Sequence, residues 1–212
     1  KQDAALARKA FTAACNASHG PSCIELAELL RAKSDAPGLR NALMVGCLKG
    51  NVSSSCVELV HDDATSQLFD EGLMKKAAKV LTRLCTKGDG LACNGLAYGY
   101  EYNVIRTADL QPLAAASSNY ASACKAGATV GCVNLVFFGL NHKKWARKLP
   151  YAKMNMVAPL AEGCDMTQRP LFPYCFAHGV ALKSGLGMKR NAREGGKILR
   201  ALCKQHYSDA CR

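Results

Sequence analysis

Three sets of residues in this chain have types and spacings that could do chemistry: twelve cysteines, a serine three residues ahead of a lysine, and a run holding serine, histidine and aspartate. Cysteines can act as nucleophiles, as metal ligands or as disulfide partners. The chain has no Cys-x-x-Cys and no His-x₃₋₅-His, and few of its five histidines lie near a cysteine pair, so zinc lacks its usual ligand spacing. No metal or other cofactor is expected. Ser122-Ala-Cys-Lys125 has Ser-x-x-Lys spacing, but neither Ser-Asp-Asn nor Lys-Thr-Gly accompanies it. It is read as an exposed serine one turn before a basic helix end. In "SSSCVELVHDD" (53–63) a triad would have to be made by geometry rather than by nearness in sequence. Ser53 is read there as the cap of a short helix that the acidic pair Asp62–Asp63 ends. With no His-Glu-x-x-His and no phosphate-cradling Gly-x₄-Gly-Lys loop, catalysis is not expected.

The spacing of the cysteines describes the elements that carry them. They fall into six close pairs: Cys15/Cys23, Cys47/Cys56, Cys85/Cys93, Cys124/Cys132, Cys164/Cys175 and Cys203/Cys211. The first members of successive pairs lie 32, 38, 39, 40 and 39 residues apart, which is the mark of a repeat array. Ala- and Leu-rich helical pattern precedes each first cysteine, as in "MKKAAKVLTRLC" (74–85) and "GGKILRALC" (195–203). A turn rich in Gly, Asp, Asn or Ser follows, and the second cysteine opens another helical stretch, as in "CIELAELLRAK". The expected fold is all-α: an αα-hairpin repeat solenoid of about six disulfide-stapled units. It forms one domain over 1–212, with units near 1–35, 36–66, 67–106, 107–144, 145–190 and 191–212. The second unit is expected to break its second helix early, and the sixth barely begins one.

The run "CFAHGVALKSGLGMKRNAREGGKILRALC" (175–203) resembles the Sel1-like repeats, in the disulfide-bearing form of the Helicobacter cysteine-rich proteins. Gly179 takes the small position of the second helix, Gly185 and Gly187 the linker glycines, and Met188 the hydrophobic residue after them. Leu96, Ala97 and Tyr100 match in the third unit, and Leu26, Ala27 and Leu30 in the first. Val136 stands in the fourth unit where the pattern has a small residue. The resemblance implies a helical solenoid. Relatives of this kind include β-lactam-binding or -hydrolysing proteins and periplasmic immunity proteins that neutralise phospholipase effectors of rival bacteria.

Among 212 residues, 28 Lys and Arg face 16 Asp and Glu, a formal net charge of +12. That balance favours an anionic partner. No nucleic-acid-binding motif is present, and there is neither an amphipathic anchor nor a lipid-attachment cysteine, so membrane contact is not expected. The N-terminal "KQDAALARKAF" has the pattern of an amphipathic helix rather than of a secretory leader. An even, spaced set of cysteines points to an oxidising compartment, periplasmic or extracellular. Two stretches are the expected partner contacts. "NHKKWARKLPYAK" (141–153) holds Lys143, Lys144, Trp145, Arg147, Lys148 and Lys153 with no acid. "DMTQRPLFPY" (165–174), an enlarged turn within the Cys164/Cys175 pair, holds Arg169, Phe172 and Tyr174. The expected function is capture of an acidic protein, in its narrowest form an immunity protein against a secreted antibacterial effector. The alternative is an enzyme or binder acting on β-lactams or cell-wall material.

Overall fold

The computed structural model describes residues 2–65, 70–106, 111–142, 156–164 and 172–211. Among them the regular structure is entirely helical. The helices are α1 (Gln2–Asn16), α2 (Gly20–Arg31), α3 (Ala36–Leu48), α4 (Ser53–Thr65), α5 (Glu71–Thr86) and α6 (Gly90–Glu101). They continue with α7 (Pro112–Lys125), α8 (Thr129–Asn141), α9 (Val157–Gly163), α10 (Phe172–Ser184), α11 (Ala192–Lys204) and a 3₁₀ turn at Ser208–Cys211. The chain divides into two compact units, Lys1–Ala116 and Ser117–Arg212.

All twelve cysteines form disulfides in the pairs that their spacing suggests. Cys15 bonds Cys23, Cys47 bonds Cys56 and Cys85 bonds Cys93 in the first unit. Cys124 bonds Cys132, Cys164 bonds Cys175 and Cys203 bonds Cys211 in the second. No cysteine is left free, and the paired Cα atoms lie 4.4–4.9 Å apart.

The register of the staples is nearly invariant, and it corrects one expectation. The first cysteine is the penultimate residue of its helix in five hairpins (Cys15, Cys47, Cys85, Cys124, Cys203), while Cys164 directly follows α9. The second cysteine does not open its helix. It is the fourth residue of its element every time: Cys23 of α2, Cys56 of α4, Cys93 of α6, Cys132 of α8, Cys175 of α10 and Cys211 of the 3₁₀ turn. Each staple therefore ties the last turn of one element to the first turn of the next. Cys23, Cys56, Cys93, Cys132 and Cys175 are buried there, whereas Cys211 is exposed.

In the hairpins whose turns are described, the turn geometry explains why the second helix starts three residues ahead of its cysteine. Three residues after Cys15, Cys85, Cys124 and Cys203, the backbone enters the left-handed region, at Ser18, Gly88, Gly127 and His206. In the second hairpin, one residue longer, Asn51 does the same. The next N–H then reaches back to the carbonyl just before the cysteine: His19 to Ala14, Asp89 to Leu84, Ala128 to Ala123 and Tyr207 to Leu202, at 3.0–3.1 Å. This closes the helix with a left-handed cap and reverses the chain at once. Asp89 then accepts from Ala92 N at 3.0 Å and caps α6.

Within the first unit each helix packs on the next and on the next but one, as α2 does on α3 and α4, and α4 on α5 and α6. This nearest-neighbour pattern is that of stacked helical hairpins. The core is small and aliphatic, with Leu26, Ala27, Leu30, Leu43, Leu59, Leu81, Leu96 and Ala97 buried. In the second unit, α10 and α11 cross where Gly179 faces Gly195; a Cβ on Gly195 would stand 2.5 Å from the Gly179 carbonyl oxygen. Gly185 and Gly187 both take positive φ in the link that follows α10. Val136 is buried in α8.

Two expectations for the second hairpin do not hold. Helix α4 runs thirteen residues, through His61, Asp62 and Asp63, as far as Thr65. Ser53 is its first helical residue. The acidic pair does not end the helix because its charge is taken up from a distance: Arg40 of α3 donates to Asp62 at 3.0 Å and also to Asp63. The Asp63 side chain is fully buried and accepts a further bond from Asp70 N at 3.3 Å. The sixth unit does begin a second helix, as the single 3₁₀ turn that carries Cys211.

Candidate functional site

Ser122 is occupied within its own helix, whereas the buried Ser55 Oγ has no hydrogen-bond partner among the described residues. Ser122 Oγ donates to the Ser118 carbonyl at 3.0 Å on the exposed side of α7. Ser55 Oγ is buried between α3 and α4 beside Gly46, where a Cβ on that glycine would lie 2.4 Å from it. His61, about two turns along α4 from Ser53, stacks on Tyr98 of α6, centroids 3.7 Å apart, and Tyr98 in turn meets Tyr102 at 4.3 Å. Burial holds the His61 imidazole below its usual pKa. The Ser, His and Asp of 53–63 are therefore not brought together. Among the described residues no His, Cys, Asp and Glu group of three or more could hold a metal ion, and no helix is long and apolar enough to cross a membrane.

Of the expected partner contacts, Lys143, Lys144, Trp145, Arg147, Lys148, Lys153 and Arg169 lie outside the described residues. Phe172 and Tyr174 are in the first turn of α10 rather than on an enlarged turn. Both are half-buried. The Cys164–Cys175 bond holds that first turn against the end of α9. Phe172 meets Tyr207 with centroids 5.7 Å apart, and the Tyr174 ring closes over Gly163, where a Cβ would stand 2.3 Å from it. Pro173 suits an early helical position, where its missing N–H has no helical partner to lose.

A sizeable hollow lies elsewhere, on the third hairpin. It measures about 850 Å³ and is lined by Lys75, Ala78, Lys79, Thr82, Arg83 and Thr86 of α5, with Tyr100, Ile105 and Arg106 opposite. The α5 residues fall at i, i+3, i+4, i+7, i+8 and i+11, so they form one continuous face of that helix. The opposite face of α5 carries Leu73, Met74, Ala77 and Leu81 into the core, and that amphipathicity is what turns the lysines outward. The far wall is set by the end of α6. Asn103 takes positive φ, and the chain doubles back so that Ile105 is buried against Gly99.

The groove is thus an apolar floor between cations. Tyr100 and Ile105 are nearly inaccessible, while Lys75, Lys79, Arg83 and Arg106 are exposed. Lys75 bonds Glu71 at 2.8 Å, and that hydrogen bond, with Arg106 behind it, holds the Glu71 carboxyl below its usual range. Arg83 donates to Asn51 Oδ1, and Arg106 Nε donates to the Asn103 carbonyl at 3.3 Å. Burial pushes the Tyr100 phenol above its ordinary pKa. Among the described residues no acidic side chain lines the groove. Glu71 offsets Lys75 at one end, so the positive potential is carried chiefly by Lys79 and Arg83, and an anionic surface bearing one apolar projection is what the groove complements.

Counted from the staple, the α5 cations stand ten, six and two residues before Cys85. Helix α11 repeats this register with Arg193, Lys197 and Arg200, which stand ten, six and three before Cys203. Its hollow, about 450 Å³, is lined by Asn191, Arg193, Glu194, Lys197 and Arg200, with no apolar floor and an acid among the cations. It has the make-up of a solvated face. The row Lys75–Lys79–Arg83 was present in the sequence; its significance depends on Tyr100 and Ile105, about twenty residues further on. No protein-family model matches the chain, and no curated protein matches it significantly.

Proposed function

We propose that this protein is a non-enzymatic, protein-binding helical repeat that works in an oxidising compartment and captures an acidic protein partner through the groove of its third hairpin. The observation that carries this reading is the α5 groove, four cations around a buried Tyr100–Ile105 floor with no acid among its described lining residues. Twelve paired cysteines suit a periplasmic or extracellular location. The net charge of +12 would speed encounter with an acidic partner. The likeness of 175–203 to the Sel1-like repeats narrows the reading to an immunity protein that neutralises a secreted antibacterial effector, of which a phospholipase is the leading kind.

The test begins with an acidic protein recovered from the native secretome and titrated, once purified, against the full chain. Its affinity should fall steeply with added salt and should drop on Lys79→Glu/Arg83→Glu. Reversal at Lys143, Lys144 and Arg147 measures the share of the second basic stretch. Binding indifferent to salt and to both sets of reversals would overturn the electrostatic reading. A labelled penicillin should leave the chain unmodified. Acylation that Ser122→Ala abolishes would instead establish the enzymatic alternative.

A further inference from the structure

We infer that the occupant of the α5 groove is an amphipathic α-helix of the partner, with carboxylates on one face at i, i+4 and i+7 or i+8 and an apolar residue between them. The inference rests on the acidic-partner reading above and deepens it by assigning the shape of the bound segment.

Two geometries of an acidic segment could meet a row of cations with this spacing. Lys75, Lys79 and Arg83 recur every four residues, ~6 Å of helix rise apart. A helix with acids at every fourth position presents carboxylates at that interval, and so, to within an ångström, does an extended chain with acids at alternate residues. Charge spacing alone does not choose between them.

The backbone hydrogen bonds of the groove do choose. An extended peptide adds to a protein by pairing its own amides and carbonyls with an unpaired edge. On one side the groove offers α5, whose N–H and C=O groups along this stretch are bonded within the helix. On the other side, Tyr102 N donates to Tyr98 O, Asn103 N to Tyr100 O, and Val104 N and Ile105 N both to Gly99 O, at 2.8–3.2 Å. The hydroxyls of the residues that line the groove are those of Thr82, Thr86 and the nearly inaccessible Tyr100, and Thr86 Oγ1 already donates to the Arg83 carbonyl at 2.9 Å. An extended backbone laid here would lose water along its length and find few partners, a penalty repeated at each buried amide. A helix brings its backbone already satisfied and presents only side chains.

Size and chemistry agree with a helix. The lining face of α5 runs from Lys75 to Thr86, ~16 Å or three turns. Three turns of a docked helix carry the acids that Lys75, Lys79 and Arg83 can meet. The apolar residue between the acids lies over Ala78, Tyr100 and Ile105, where its burial supplies the attraction that exposed ion pairs lack. Arg106, on the opposite wall, meets an acid on the far flank of the same helix.

The probe is a capped synthetic peptide of four turns, with Glu at every fourth position and Leu between, titrated into the full chain. Binding should raise the peptide's helicity by circular dichroism. Lys79→Glu should weaken it about tenfold or more, and Lys79→Glu/Arg83→Glu further. Both side chains are exposed, so each variant's thermal midpoint should match the parent and separate lost binding from lost folding. A peptide of the same composition with a central proline, which cannot continue a helix, should bind about tenfold more weakly or worse. If the proline peptide binds as well as the helical one, or the bound peptide gains no helicity, the helical inference fails while capture of an acidic segment stands. If neither peptide binds, or reversal at Lys79 and Arg83 changes nothing, the groove is not the docking site and this inference fails, and the acidic-partner reading then stands or falls with the reversal at Lys143, Lys144 and Arg147.

Discussion

Helices α3 and α5 are built alike and used differently. Each opens a hairpin behind an aspartate cap, Asp35 to Gly38 N and Asp70 to Leu73 N, both at 3.0 Å. Each ends one residue past its stapled cysteine. At ten, six and two residues before Cys47, α3 has Pro37, Asn41 and Val45, whereas α5 has Lys75, Lys79 and Arg83 at the same distances from Cys85. The cation that α3 does carry, Arg40, is turned towards Asp62 and Asp63, and the hydrogen bond it donates to Asp63 raises its pKa above the ordinary arginine value. Repeat register thus decides whether a positive charge becomes part of the packing or remains on the surface.

The contrast breaks most visibly at Arg40. Arg40→Ala leaves the buried Asp63 carboxylate without its guanidinium and is expected to cost roughly 3–5 kcal/mol in urea denaturation. Lys79→Ala, on exposed α5, should stay within about 0.5 kcal/mol of the parent. Equal losses at the two positions would erase the distinction drawn between the helices.

The staples supply the control. The Cys47–Cys56 and Cys85–Cys93 bonds close loops of nearly the same length, with separations of nine and eight positions. Cys47→Ala/Cys56→Ala and Cys85→Ala/Cys93→Ala should therefore each lower stability by about 2–3 kcal/mol. A pair of clearly unequal losses would mean that the hairpin's surroundings, and not the closed loop, set the contribution. Packing gives the next effect. In α3 a Cβ on Gly46 would meet Ser55 Oγ at 2.4 Å and Cys23 Cβ at 2.9 Å, whereas on Gly72 of α5 it meets only Asp70 Oδ1, at 3.4 Å. Gly46→Ala should cost about 1–3 kcal/mol, and Gly72→Ala should cost nothing or stabilise slightly. A tolerated Gly46→Ala would show that α3 and α4 can move apart freely.

The smallest effect concerns acid. Burial lowers the His61 pKa from its ordinary value of 6.5, so the unfolded chain takes up this proton first. The stability is present above pH 6.5 and is lost as pH falls from there through the folded value. His61→Phe keeps a ring against Tyr98 and removes the titration, so its melting point should fall less than the parent's between about pH 7.5 and about pH 5. His178, in the second unit, is lowered by burial in the same sense and accounts for part of the loss that remains. An unchanged acid sensitivity would remove His61 from the pH response.

How far these features were legible in the sequence depended on the range of the interaction behind them. Gly88 and Gly127 announce left-handed turns by their residue type. Ser18, Asn51 and His206 adopt the same backbone, carried there by the staple and by the carbonyl behind it. That tight reversal also places Cys56 and Cys132 a full turn inside their helices, where the spacing suggests the start. The length of α4 was misjudged because two adjacent aspartates look like a helix end until Arg40, more than twenty residues earlier, is known to face them. The aromatic candidates Phe172 and Tyr174 looked like loop residues for a related reason: two prolines suggested an enlarged turn, but the second of them, Pro173, sits where a helix tolerates it.

From the sequence alone came the all-helical hairpin repeat and the six cysteine pairs. Each of these follows from contacts between residues close in the chain, whose spacing is itself the geometry. Only the tertiary structure decided which cations are available to a partner. Arg40 and Lys79 carry the same charge and sit on equivalent helices, but one meets acids delivered by the next helix and the other stands beside a floor of Tyr100 and Ile105. Those neighbours are set by how the helices stack, and local spacing does not specify them.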